Sequence, residues 1–152
     1  MTDPDDAPRP PARLRELASW QTSKVSTLGA RLFARQMPLG ARADFAVLAA
    51  LEEYGPLSQA DLGRRLGLDR NDVNGIAGRL ERRDQIERRP DPADRRRNIV
   101  TLTDAGRQQL DELQRYTEVV QDELLAALDA GERRQLQALL AKVLGGHRPQ
   151  PA

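Results

Sequence analysis

The chain contains no cysteine and one histidine in 152 residues. With no thiol there can be no disulfide, no thiol redox sensor and no thiolate metal site, and a solitary His147 in a tail with Gly and Pro cannot build a His-based zinc site. No metal and no cofactor are expected. No apolar run approaches the roughly 20 residues that a membrane-spanning helix needs, and the Asp- and Pro-rich N-terminus lacks the basic-then-apolar order of a signal peptide. A cytoplasmic protein without a membrane partner is the expectation. Usable catalytic spacings are missing as well: there is no Ser/His/Asp, Cys/His or Gly-rich phosphate arrangement, so a hydrolytic enzyme is the weakest reading.

By size the sequence is one domain, and 39% hydrophobic with 31% charged residues is ordinary for a globular chain. The net charge of +1 hides an asymmetry. Between Arg64 and Arg97, 11 arginines face seven acids, a local excess of +4 that leaves −3 for the rest of the chain. Such a split suggests a basic contact surface against an acidic support region. The competing reading is a solvated Arg-rich face with local acidic partners. The stretch Asp91 to Gly106, DPADRRRNIVTLTDAG, separates the two. An Arg-tipped turn between Arg88-Arg89 and the alternating Val100 and Leu102 predicts a β-hairpin whose tip carries charge that no core would accept, and a partner rich in negative charge fits it.

In chain order, residues 1–11 hold four Pro and three Asp, too little apolar surface to offset ordering, and a disordered arm is expected there. Leu14, Leu17, Ala18, Val25, Leu28, Leu32 and Phe33 then recur at helical spacing over Arg13 to Gln36, and Pro38-Leu39-Gly40 ends the run. Trp20, the single tryptophan, reads first as an aromatic packed against a neighbouring helix. Arg42 to Tyr54 predicts an interior helix, apolar over a wide arc. Ser58 with Asp61 resembles a capping box for a helix over Gln59 to Leu66, stopped by Gly67.

Asp69 and Asp72 cap the next helix, where Val73, Ile76, Ala77 and Leu80 follow at i, i+3, i+4 and i+7. Projection at about 100° per residue leaves Asn71, Asn74, Gly75, Gly78, Arg79 and Arg82 on the opposite face. Two mid-helix glycines cost roughly 1 kcal/mol each relative to Ala, and close approach of the backbone to another body would compensate. In a DNA major groove Asn can pair bidentately with adenine and Arg with guanine. Asp84 tolerates the left-handed conformation and is the expected helix stop. Thr103 caps a long helix from Asp104 to about Leu128, and Asp129 with Glu132 caps a last one that ends at Gly145-Gly146. Both terminal regions carry apolar stripes that a second copy of the chain would bury.

The order of long helix, buried helix, helix-turn-helix, wing, long helix and final helix resembles the MarR family of bacterial transcriptional regulators. DPADRRRNIVTLTDAG and LDAGERRQLQALL stand at the corresponding places, and the likeness runs from Leu14 to Leu144. The family pattern of Asp, any residue, Arg before a strand ending Leu-Thr and then Gly is matched by Asp94, Arg96, Leu102, Thr103 and Gly106. The implied fold is mainly α, a winged helix-turn-helix (41–103) with a small β-hairpin wing, flanked by long N- and C-terminal dimerisation helices (12–40 and 104–146) and a flexible tail (147–152).

The resemblance implies a homodimer that binds a pseudo-palindromic operator on double-stranded DNA as a repressor. It also implies release when a small, often aromatic or anionic, effector binds between the lobes and the dimerisation region. By position, Arg70, Asn71, Asn74, Gly78, Arg79 and Arg82 match the recognition helix, with Gly75 on the same face, and Arg95, Arg96 and Arg97 match the wing. Asp94 would orient Arg96, since a carboxylate facing phosphate is repulsive. Trp20, Asp44 and Phe45 fall on the helices that flank family pockets and are candidate ligand residues. The sequence departs from the family at Asp84-Gln85, where Gly followed by an apolar residue is common, which bears on the angle between recognition helix and wing. A winged-helix module that contacts protein instead of DNA remains the alternative, because fold does not fix function.

Overall fold

The computed structural model describes residues 9–147. The arm expected over 1–11 therefore lies outside the described residues except at 9–11, and the tail over 147–152 except at His147. In order, the elements are α1 (Ala12–Arg15), α2 (Ala18–Gln36), α3 (Ala41–Tyr54), β1 (Leu57–Ser58), α4 (Gln59–Leu66), α5 (Arg70–Arg82), β2 (Ile86–Pro90), β3 (Asn98–Leu102), α6 (Asp104–Leu124) and α7 (Ala130–Gly145). The chain is mainly helical and divides into two compact units, one spanning Phe33–Val119 and the other built from the segments on either side.

In the unit Phe33–Val119, α3 supplies the centre of the core through Val47, Leu48 and Leu51. The four apolar residues of α5 spaced at i, i+3, i+4 and i+7 (Val73, Ile76, Ala77 and Leu80) are all buried in the same cluster, with Leu62, Ile86, Val100, Leu110 and Leu113. Side chains at both helix starts take up orphan backbone donors. Ser58 Oγ accepts from Asp61 N at 3.1 Å, and an Asp69 carboxylate oxygen accepts from Asp72 N at 2.8 Å.

The sheet has three antiparallel strands in the order β1-β3-β2. Leu57 pairs with Val100 and Ser58 with Ile99, while Ile86, Arg88 and Pro90 pair with Leu102, Val100 and Asn98. The hairpin of β2 and β3 is the one expected. Strand β1 was not anticipated, because two residues are too few for alternation to show.

Between α5 and β2, Asp84 adopts φ 56°, the left-handed conformation expected of it. Thr103 Oγ1 donates to Asp84 O at 2.6 Å and accepts from Gly106 N at 3.0 Å, so one hydroxyl ties the turn to the start of α6. Gln85, where the resemblance implied that an apolar residue is common, is buried, with Nε2 3.3 Å from Gln109 Oε1. A Cβ at Gly106 would lie 2.0 Å from Gln85 O, so only glycine lets α6 start here.

The other unit holds α1, most of α2, the end of α6 and α7. The single helix expected over Arg13 to Gln36 is interrupted at Glu16-Leu17. Gln21 Nε2 donates to Arg15 O at 2.7 Å, so a side chain satisfies a carbonyl that a continuous ladder would have used. Likewise α6 ends at Leu124, four residues early, and Leu125–Leu128 form turns. Asp129 and Glu132 make the expected reciprocal capping box for α7. Arg133 pairs with Asp122 at 2.6 Å and fixes the return of the chain. Neither α2 nor α7 has a buried residue, and Leu14, Leu17, Val25, Leu28, Leu139, Leu140, Val143 and Leu144 are exposed.

Candidate nucleic-acid interface

The residues singled out on α5 and on the turn between β2 and β3 all belong to the unit Phe33–Val119. Asn71, Asn74, Gly75 and Arg82 are exposed, and Arg70 opens the helix, also exposed. A Cβ at Gly75 would meet nothing within 4 Å, and one at Gly78 would meet only Arg82 Nη1 at 3.5 Å. Neither glycine is required by packing inside the chain, and together they leave a stretch of bare helix on the outer surface. Beside it, Asn71 and Asn74 line a concave groove with Gln59, Arg96, Arg97 and Asn98, which the first turns of α4 and α5 share with the wing.

The wing is a turn held by its own backbone. Asp91 N donates to Arg97 O at 2.8 Å, and Arg97 N to Asp94 O at 2.9 Å. Asp94 accepts from Arg96 N at 3.1 Å, and its carboxylate lies 3.6 Å from Arg96 Nε. Arg96 projects from that anchor with its side chain 94% exposed. Arg97 turns back instead. Its Nη2 donates to Ser58 Oγ at 3.1 Å and stands 3.7 Å from Asp61. Ser58, Arg64 and Arg97 surround the Asp61 carboxylate. The hydrogen bond from Ser58, with support from both arginines, holds it below its usual range despite some desolvation. Among the described residues Arg70, Arg82 and Arg95 have no ion pair.

Arg79 departs from its expected place. Projection set it on the outer face as a candidate base reader, but its guanidinium engages the carboxylate of Asp44 on α3, with Nε at 3.1 Å from Oδ1 and a second bond from Nη2. Arg83 adds a contact at 3.5 Å. Asp44 is buried, so the candidate ligand residue is occupied by arginines from the end of α5. Phe45 is half-buried and packs against the core of this unit, while Trp20 lies in the other unit with the Lys24 ammonium 5.2 Å above its ring.

Sequence reasoning missed Glu81 and Arg88. Strand alternation puts Arg88 on the face of buried Ile86. There its guanidinium meets Glu81 of α5 through Nε at 2.9 Å and Nη2 at 2.5 Å, and Nη1 reaches Asn74 Oδ1 at 3.2 Å. The hydrogen bonds from Arg88 hold the Glu81 carboxyl below its usual range. A period-2 count from Ile86 could have found Arg88, but its partners lie seven and 14 residues away and leave no local signal.

This arrangement, an exposed helix face with two bare glycines beside an arginine-tipped hairpin, is that of a winged helix-turn-helix protein. The profile of the MarR family matches residues 41–97, and the chain belongs to that family. Over 100 residues it is 37% identical to the HTH-type transcriptional repressor NicR of Pseudomonas putida, a stretch covering 66% of this chain and 63% of NicR. The crystal structure of a probable transcriptional regulator from Pseudomonas aeruginosa is similar at TM-score 0.74 and 32% identity, over 86% of this chain and 99% of that one. BpsR of Bordetella bronchiseptica, whose structure concerns regulation of DNA binding by 6-hydroxynicotinic acid, is similar at TM-score 0.73 and 29% identity over 82% of this chain and 96% of its own.

Proposed function

We propose that this chain is a sequence-specific DNA-binding regulator that acts as a homodimeric repressor on a pseudo-palindromic operator. The observation that carries the reading is the outer face of α5. Asn71, Asn74, Gly75, Gly78 and Arg82 present exposed polar groups and open backbone where a major groove could come close. Arg70 and the wing residues Arg95, Arg96 and Arg97 supply cations for phosphate or a narrow minor groove, with Asp94 orienting Arg96. Arg79 anchors α5 to α3 in this reading and does not read a base.

Regions 12–40 and 104–146 are assigned to dimerisation and 41–103 to DNA binding. Support for a second copy comes from the eight large apolar side chains left exposed on α1, α2, α7 and the α1–α2 link. An effector that is a small aromatic acid is proposed by analogy with BpsR, whose DNA binding is regulated by 6-hydroxynicotinic acid. The working compartment is the bacterial cytoplasm, on the nucleoid when bound. The test is a salt titration of binding to duplex DNA carrying the promoter region next to the gene. Affinity should fall steeply and log-linearly with salt, because phosphate contacts release counterions. A salt-insensitive complex, or binding to protein alone, would replace this reading with that of a protein-interaction module.

A further inference from the structure

Arginine carries only hydrogen-bond donors, so whichever atom of an amide faces a guanidinium must be the oxygen. That rule fixes a side chain on the outer face of α5 whose orientation an amide does not ordinarily reveal. Asn74 Oδ1 lies 3.2 Å from Arg88 Nη1, and Arg88 is itself clamped by Glu81 through Nε and Nη2. The clamp joins β2 to α5, and the guanidinium is largely withdrawn from solvent, its side chain 22% exposed. Glu81, about two helical turns from Asn74 at their separation of seven, thus sets through Arg88 which end of the amide points outward.

The bidentate pairing of asparagine with adenine needs both ends of the amide, the oxygen accepting from N6 and the nitrogen donating to N7. Here one lone pair of the oxygen is already taken by Arg88, and that bond turns the oxygen toward β2 and the NH2 group outward. An outward donor suits a base edge that offers acceptors. In the major groove guanine offers two adjacent acceptors, N7 and O6, and thymine offers O4, whereas cytosine presents a donor at N4 and adenine sets a donor at N6 beside its single acceptor N7.

We infer that Asn74, oriented by the Glu81–Arg88 clamp, reads a keto base, guanine or thymine, as a hydrogen-bond donor in preference to adenine. The inference rests on the proposed entry of α5 into the major groove and adds the base class read at one position. Arg88 and Glu81 are positioning residues in it.

The test is selection of binding sites by the full-length chain from a randomised duplex pool, repeated with Asn74→Ala to identify the base pair whose preference depends on Asn74. Wild type should favour G or T over A and C on one strand at that pair by about three- to tenfold, the worth of one net hydrogen bond. The double variant Glu81→Gln/Arg88→Leu releases Oδ1 without leaving a lone carboxylate, and its preference there should move toward adenine. An adenine preference in wild type would overturn the inference while leaving DNA reading by α5 intact. If Asn74→Ala altered no position although the selected site persisted, the inference would fall and the placement of α5 in the groove would fall with it. Should the double variant not fold, the wild-type preference alone decides.

Discussion

The buried carboxylate of Asp44 on α3 holds the guanidinium of Arg79 on α5, across 35 residues of sequence. The helix that presents the outer polar face is therefore fastened to the core by an ion pair as well as by its apolar stripe. The two partners differ in exposure, Asp44 at 6% and Arg79 at 29% for the side chains. Arg79→Ala leaves a buried carboxylate with only the longer Arg83 contact, whereas Asp44→Ala leaves guanidinium groups that water can reach. Arg79→Ala should cost about 2–3 kcal/mol, below the ~3–5 kcal/mol of a fully buried broken pair because Arg79 retains solvent access. Asp44→Ala should cost about 1 kcal/mol less. Urea unfolding of both variants checks the order, and equal losses would show that burial of Asp44 does not govern the pair.

Two glycines should respond oppositely to substitution. At Gly106 a methyl group would stand 2.0 Å from Gln85 O and 2.6 Å from Leu102 Cδ1, so Gly106→Ala must displace either the turn at Asp84 or the start of α6. A loss of about 3 kcal/mol or more is expected, as for other overpacked sites. At Gly78 a side chain meets only Arg82 Nη1 at 3.5 Å. Gly78→Leu should leave Tm unchanged or raise it, since Leu favours helix by about 0.8 kcal/mol over Gly, yet abolish specific DNA binding by holding the helix off the groove. Wild-type affinity in Gly78→Leu would remove this face from the interface.

The Glu81 carboxyl lies below its ordinary 4.5 because Arg88 hydrogen-bonds its charged form. A depressed carboxylate contributes stability that is complete above its unfolded value and is lost as pH falls through the lower folded value. Glu81→Gln should therefore narrow the stability difference between neutral pH and pH 3 while leaving the slope between pH 6 and 8 as it was. Denaturant midpoints across that range measure it, and an unaltered acid limb would mean that the clamp does not persist in solution.

Much of this was legible in the sequence where the signal is local. The buried stripe of α5 followed from its spacing, the caps at Asp69 and Asp129 from pairs three residues apart, and the left-handed Asp84 from the lack of a glycine to end the helix. The wing followed from charge that alternation left at a hairpin tip. What escaped depends on partners far away. Projection tells which way Arg79 leaves its helix, but not that Asp44 waits on α3. The break before α2 is set by Gln21 reaching back six residues to Arg15 O, which no periodicity records. The Asn74–Arg88 contact needs the register of β2 against α5.

Dimerisation should depend on the last helix. With Leu139, Leu140, Val143 and Leu144 exposed in the single chain, a second copy is expected to cover α7 and set the two recognition helices roughly 34 Å apart, one DNA turn. Truncation at Gly131 should yield monomers by sedimentation at micromolar concentration. A stable monomer of the intact chain would count against both the dimer and the palindromic operator.

Wing and helix should fail in different ways. Arg96 stands clear of the turn with only a 3.6 Å contact to Asp94, and Arg95 has no ion pair among the described residues, so both suit phosphate or a narrow minor groove. Arg95→Ala or Arg96→Ala should weaken specific and scrambled DNA alike and lower the salt slope by about one each. Arg82→Ala, on the exposed face of α5, should instead erode discrimination between operator and scrambled DNA by about 1–3 kcal/mol if it contacts a base. Arg97 is a third case, because its guanidinium is held by Ser58 and Asp61. Its loss should also free the wing from the start of α4, so Arg97→Ala is expected to weaken binding more than its single charge explains. A complete salt titration for each variant distinguishes the three, and identical slopes and identical discrimination throughout would mean that neither element touches DNA as assigned.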